Sequence, residues 1–318
     1  MSGLSDRAIG QLRTVANWPE FSSDRYVVTE EIGRGGMGTV YAATDSTLGR
    51  DVAIKISNTV AGGAFEEWLS AEARVLASLE HPGIVPIHDA GRLVDGRPFY
   101  VMKRVHGRTL ADHLRGDLEE GERLRIFERI CETVSFAHSH GILHRDLKPD
   151  NVMLGAFGEV MVLDWGVARA HAGADQSGVV VGTHGFMSPE QARGELATID
   201  ERTDVYGLGG VLLALLSGDA APLGRATVAV DAVGFERIPK PLQSICARAL
   251  AVNAADRYAS AAALGADVSR YRAGQAVLAH RETLVEQTLR VAKAYRTPIL
   301  LVVAYMVMRT IVALLTGR

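Results

Sequence analysis

The 318-residue sequence predicts an α+β protein of two lobes, a β-rich one followed by a helical one. Two observations carry this. Between Arg25 and about Lys103, short β-branched or aromatic runs alternate with Gly, Asp and Arg. From about Thr109 onward, apolar residues recur at helical spacing instead. Substrates tend to bind in the cleft between two such lobes.

The elements follow in order. Leu4, Ala8, Leu12 and Val15 are spaced for one short amphipathic helix in an N-terminal extension, residues 1–24. That stretch has no apolar h-region, so no signal peptide is expected. The runs "RYVVTEEIG", "GTVYAATD", "DVAIKIS" and "RPFYVMK" read as strands. One helix interrupts them, "FEEWLSAEARVLASL", with Trp68, Leu69, Ala73, Leu76 and Leu79 on its apolar face. It stops at "HPG", where Pro82 cannot continue it. The helical lobe then reads "TLADHLR", "LRIFERICETVSFAHSHG", "DVYGLGGVLLALLSG", "LQSICARAL" and "ASAAALGADVSRYRAG". These divisions place one two-lobed domain at 25–274, with lobes at 25–103 and 104–274. A connecting helix is expected over 275–297, with Glu286 four residues before Arg290.

Composition excludes several classes. Charged residues make up 22% and the net charge is −3, so a nucleic-acid partner is not expected. Cys131 and Cys246 lie far apart in apolar surroundings without a CxxC partner, which fits buried thiols rather than a disulfide framework or a zinc site.

Three stretches carry chemistry. "IGRGGMGTV" sets Gly33, Gly35 and Gly38 in a G-x-G-x-x-G pattern, with Arg34, Gly36 and Met37 between them. The same spacing serves dinucleotide folds, but those need a helix directly after the glycines. Here Thr39, Val40, Tyr41 and Ala42 read as a strand, so a hairpin folding over phosphates fits better. No GxxxxGK[ST] occurs. "VAIK" ends a strand on Lys55, a position that usually faces solvent. The glycine loop before it and acidic residues after it (Glu66, Glu67 or Glu72) point instead to an ion pair aiming the ammonium at phosphates.

"HGILHRDLKPDNVML" is the densest stretch. Asp146 and Asn151 must sit on a fixed loop, because Pro149 forbids a regular helix between them. His138, His140 and His144 match no zinc spacing. An aspartate that accepts a hydroxyl proton, a lysine that neutralises phosphate charge and an asparagine that ligates magnesium are the components phosphoryl transfer needs. In "VLDWGVAR", Asp164 is a candidate metal ligand followed by a bulky ring.

The ordered set GxGxxGxV, VAIK, HRDLKPDN, Asp-x-Gly and "MSPEQ" resembles the signature of the protein kinases, specifically the eukaryotic-type (Hanks-type) serine/threonine kinases of bacteria. The resemblance runs from about Tyr26 to Gly274. It implies the two-lobed kinase fold, ATP and Mg2+ as cofactors, and protein substrates with Ser or Thr acceptors. It assigns Asp146, Lys148 and Asn151 to catalysis, and Asn151 and Asp164 to the metal. Nucleotide contacts fall on Ile32 to Val40, Ala53, Lys55 and the gatekeeper Met102, with a hinge at Lys103 to Val105. Glu72, at the family's usual distance before "HPGIV", becomes the partner of Lys55. Asp204 would brace the catalytic loop, and Glu190 would pair with Arg257. Ser177 and Thr183 fall in the activation segment, where Arg145 and Arg169 could pair a phosphate on Ser177. Three departures stand out: Trp165 replaces the usual phenylalanine, Ser188 replaces the alanine of "APE", and the region from Gly218 to Ile238 is short. A non-catalytic scaffold of the same fold and a small-molecule phosphotransferase are the alternatives, the latter disfavoured by the "SPE" segment.

The final stretch, "PILLVVAYMVMRTIVALL", is almost wholly apolar. As a helix, Pro298 to Leu315 would span about 27 Å, close to the roughly 30 Å hydrocarbon core. A transmembrane helix at 298–316 is therefore expected. Arg290, Lys293 and Arg296 before it would keep the kinase domain in the cytoplasm as a single-pass membrane protein.

Overall fold

The computed structural model describes residues 18–35, 38–58, 77–114, 116, 118–165, 185–219, 235–294 and 296–315. The first lobe is a five-stranded antiparallel sheet in the order β1-β2-β3-β5-β4. Its strands are β1 (Tyr26–Gly35), β2 (Gly38–Asp45), β3 (Arg50–Ser57), β4 (Ile87–Arg92) and β5 (Pro98–Lys103). Period-two alternation in β3 sends Val52, Ile54 and Ile56 to one face, where they pack with Tyr41, Phe99 and Val101. Ala53 and Lys55 therefore share the opposite face. The strand β4 carries no apolar alternation and was not expected. Its "IHDAGR" is half-exposed and sits on the sheet edge, held through Asp89 by the Tyr26 hydroxyl at 2.6 Å and Arg25 at 2.8 Å.

A three-stranded sheet of β6 (Gly107–Thr109), β7 (Val152–Gly155) and β8 (Val160–Val162) opens the second lobe. The helices that follow are α1 (Leu110–His113), α2 (Glu120–Ser139), α3 (Pro189–Ala192), α4 (Glu201–Ser217), α5 (Lys240–Ala249) and α6 (Ala261–Arg272). Helix α4 is apolar all round, and it runs through the core, with every residue from Thr203 to Leu215 buried. Asp200 caps its N-terminus by accepting from the Arg202 N–H, which leaves Asp204 inside the first turn for another task. A Cβ at Gly207 would come within 3.0 Å of Leu147 Cβ, so the loop that carries Asp146 rests directly on the helix backbone.

The "HPG" turn ties the two lobes. The His81 ring accepts the Gly83 N–H at 3.0 Å, and the Gly83 carbonyl accepts the Val162 N–H at 2.8 Å. Any Cβ at Gly83 would overlap the Thr133 side chain on α2. Gly83→Ala should therefore destabilise the protein by about 1–3 kcal/mol through overpacking. Urea unfolding of parent and variant checks this, and a change within error would show that the turn can yield.

The C-terminal part departs from the sequence reading in two ways. Residues 275–283 form no helix, because the buried carboxylate of Asp267 captures their backbone: Leu278 N–H at 2.7 Å and Ala279 N–H at 3.0 Å. Helix begins only at α7 (Leu284–Ala294), followed by α8 (Arg296–Leu315). The transmembrane expectation needs correction. Among the described residues, no helix is long and apolar enough to cross a membrane. Helix α8 also contains Arg309, which opposes insertion by about 2.5–3.5 kcal/mol near a helix centre. The spanning segment and the single-pass membrane localisation inferred from it are both withdrawn.

Candidate active site

A cleft of about 450 Å³ lies between the lobes, a size that suits a small ligand. Ile32, Gly33, Val40 and Ala53 line it from the first three strands, and Met102 to Val105 line it along the connection between lobes. Met153, Val162, Leu163 and Asp164 line it from the second lobe. Met102 pairs with Ala53 across β3 and β5, which sets both residues beside the cleft.

The glycine hairpin closes over this space. Gly33 stands opposite Val40, Arg34 opposite Thr39, and Gly35 opposite Gly38. Arg34 turns to Glu31 in an exposed ion pair at 2.6 Å and is not among the cleft-lining residues. The Thr39 hydroxyl donates to Asn58 Oδ1 at 3.1 Å, and Asn58 Nδ2 donates to the Gly35 carbonyl at 2.9 Å. Asn58 thus stitches both strands of the hairpin, a role that no sequence pattern announced.

Lys55 is buried and its ammonium lies 2.8 Å from Asp164 Oδ1. Desolvation opposes the charge on Asp164, yet the Lys55 ammonium outweighs it and holds the carboxyl below the usual range. The Asp164 side chain is 53% exposed, so the anion opens onto the cleft. Its backbone is left-handed (φ 52), a conformation that strains a side-chain-bearing residue by about 1–3 kcal/mol. Trp165 supplies part of what holds it. The indole is 2% exposed, its Nε1–H donates to the Val162 carbonyl at 3.1 Å, and its ring packs on His144 at 4.9 Å.

The second left-handed residue is Arg145 (φ 64), directly before Asp146. Asp204, 1% exposed, braces this bend by accepting the N–H of His144 and of Arg145, each at 2.7 Å. Desolvation works against its charge, but bonds from His138 at 2.8 Å and from those amides keep its carboxyl low. Burial pushes His144 below the usual imidazole range, so the ring is neutral. Its partners assign the tautomer: Nε2–H donates to the Leu163 carbonyl at 2.8 Å, and Nδ1 accepts the Asp146 N–H at 3.3 Å.

The loop's polar side chains converge on Asp146. Lys148 Nζ lies 3.1 Å from Asp146 Oδ2, and Asn151 Nδ2 donates to the Asp146 carbonyl at 2.8 Å. The Leu163 N–H donates to the Asn151 carbonyl at 2.8 Å, so the two candidate metal ligands lie on directly bonded segments. With its nitrogen committed to Asp146, Asn151 has its amide oxygen available for a cation.

The structure thus brings together Ile32, Gly33, Val40, Ala53, Lys55, Met102, Asp146, Lys148, Asn151 and Asp164. Gly36, Met37, Glu72, Arg169, Ser177 and Thr183 lie outside the described residues. Sequence reasoning missed Asn58, the cleft-lining Val85, Ile87, Asp150 and Met153, and Gln191.

The Protein kinase domain family matches residues 26–264 of this chain. The chain belongs to the protein kinase family. Among its curated relatives, the Serine/threonine-protein kinase PknB of Mycolicibacterium smegmatis is 38% identical over 280 residues, covering 81% of this chain and 44% of that protein. The PknB of Mycobacterium leprae is 37% identical over 278 residues, with the same coverage of both chains. A Probable serine/threonine-protein kinase of Corynebacterium efficiens, CE0033, is 37% identical over 306 residues, covering 87% of this chain and 46% of the relative. The chain therefore spans less than half the length of these relatives. Each of these relatives is named a serine/threonine-protein kinase.

Against this kinase frame the departure at Ser188 acquires a physical reason. Ser188 is fully buried and caps α3, accepting the Gln191 N–H, while Gln191 reaches back to the Ser188 N–H. The expected ion pair between Glu190 and Arg257 is present at 2.7 Å, buried at both ends.

Proposed function

We propose that this chain binds ATP with magnesium in the inter-lobe cleft and transfers the γ-phosphoryl group to Ser or Thr hydroxyls of protein substrates, itself among them. The single observation that carries the reading is the hydrogen-bonded set of Asp146, Lys148, Asn151, Asp164 and Lys55, whose Asp164 lines the inter-lobe cleft of about 450 Å³. Asp146 orients the acceptor hydroxyl and takes its proton on the carboxylate. Lys148 neutralises charge that develops on the transferring group, and Lys55 turns from Asp164 to the α- and β-phosphates. Glu72 is proposed as a further anionic partner for Lys55, and Gly33 to Val40 cover the phosphates. An ionised Asp164 and the amide oxygen of Asn151 form an oxygen donor set that suits magnesium. When bound there, magnesium would neutralise the phosphate oxygens. The proposed catalytic domain is 25–274.

Asp146→Asn tests the assignment. It should retain ATP binding within about threefold while phosphoryl transfer falls at least about 100-fold, the scale of a lost general base. Titration calorimetry with ATP and magnesium, alongside transfer of labelled phosphate, reads both. Undiminished transfer by the variant would refute the role given to Asp146.

A further inference from the structure

The capping glutamine of α3 does more than end a helix. Its Oε1 accepts from the Ser188 N–H at 3.2 Å and the Ser188 hydroxyl at 3.1 Å. Its Nε2 points the other way and donates to the Arg145 carbonyl at 2.8 Å, across 46 residues of sequence. Arg145 is the left-handed residue that carries Asp146, and its own N–H is already held by Asp204 at 2.7 Å. The peptide groups on both sides of the bend are thus pinned from two elements: the amide side by α4 and the carbonyl side by α3.

We propose that Gln191 is a positioning residue that fixes the Arg145–Asp146 peptide, and so the aim of the Asp146 carboxylate, from the far end of the activation segment. The two ends of one amide divide the work. The oxygen caps α3, and the nitrogen holds the catalytic loop. A carboxylate cannot do both, since it accepts from Ser188 but offers nothing to a carbonyl. The inference rests on the reading of Asp146 given above. Gln191 is half-buried and lies outside the set of residues that line the cleft, so it acts through Arg145 and not on nucleotide.

The test uses the full chain, with ATP, magnesium and casein as acceptor. In Gln191→Glu the capping oxygen stays and the donor to Arg145 is replaced by an oxygen facing an oxygen. The expected result is a kcat about 10- to 100-fold lower, as misplacement of a catalytic group produces. KM for ATP should stay within about twofold, and Tm within about 3 °C. Ser188→Ala should give the opposite pattern, a lower Tm with kcat within about threefold, because the Arg145 bond survives. If Gln191→Glu does not fold, Gln191→Met removes both ends of the amide, and a kcat loss beyond that of Ser188→Ala reports the Arg145 bond. A kcat within about twofold of the parent overturns the proposal, and so does a fall in kcat matched by an equal rise in KM for ATP. Asp146→Asn, run in parallel, separates the two readings. If it keeps activity, the role of Asp146 fails, whereas a dead Asp146→Asn beside an unaffected Gln191→Glu sinks only the brace.

Discussion

Asp164→Asn should remove nearly all kinase activity, at least about 100-fold in kcat, while Trp165→Phe stays within about fivefold of the parent. The two neighbours differ in what they supply. Asp164 presents an anion to the cleft, kept ionised by Lys55 at 2.8 Å, and an amide in its place brings no negative charge to hold a divalent cation or to form an ion pair with the ammonium. Trp165 supplies packing against His144 and one hydrogen bond to the Val162 carbonyl. A phenyl ring keeps most of the first and loses the second, about 1 kcal/mol, which corresponds to about fivefold at most. Steady-state transfer of labelled phosphate to casein at saturating ATP and magnesium distinguishes them. Equal and complete loss from both changes would give Trp165 a chemical role, and normal activity in Asp164→Asn would remove the metal assignment.

Glu190→Gln should lower stability by about 3–5 kcal/mol, the range for breaking one side of a buried ion pair. Arg257 is fully buried, and all five of its N–H donors have partners. Nε donates to the Ala251 carbonyl, Nη1 to Glu190 and the Arg202 carbonyl, and Nη2 to Glu190 and the Val252 carbonyl. Removing the carboxylate leaves that guanidinium without a counter-charge. Burial alone would raise the pKa of Glu190, but the Arg257 bonds dominate and lower it from 4.5 to about 2. Because the folded value is the lower one, this stabilisation is complete above about pH 4.5 and fades as the pH falls toward 2. Its size is about 3 kcal/mol, at about 1.36 kcal/mol per pKa unit. Thermal unfolding at pH 7 should show a Tm drop on the order of 10 °C for the variant, and the gap from the parent should narrow as the pH approaches 3. A Tm within about 2 °C of the parent at pH 7 would mean that the pair contributes no net stability.

Much of this was legible in the sequence because local and global signals agree. "GTVYAATD" is β2 residue for residue, and the helical stripe in "LRIFERICETVSFAHSHG" lies within or beside α2. The candidate site was legible for a different reason: Asp146, Asn151 and Asp164 sit in short ordered motifs, and the fold brings those motifs to neighbouring segments. What escaped depends on contacts distant in sequence. The strand β4 has no apolar alternation and exists because β5 offers it an edge and Arg25 and Tyr26 hold Asp89. Residues 275–283 carry helical periodicity, but a buried aspartate from α6 outcompetes local propensity for their N–H groups. Gln191 and Asn58 look like ordinary polar residues until the fold brings Arg145, Thr39 and Gly35 to them. The apolar tail read as a membrane span from its composition, whereas among the described residues no helix is long and apolar enough to cross a membrane.

The central claim is that the cleft residues perform γ-phosphoryl transfer to hydroxyl side chains. The measurement that addresses it most directly is incubation of the full chain with γ-labelled ATP, followed by phosphoamino-acid analysis of chain and acceptor. The account predicts label on Ser or Thr that requires magnesium and disappears in Asp146→Asn. Magnesium-dependent ATP binding with no label on any Ser or Thr would contradict it.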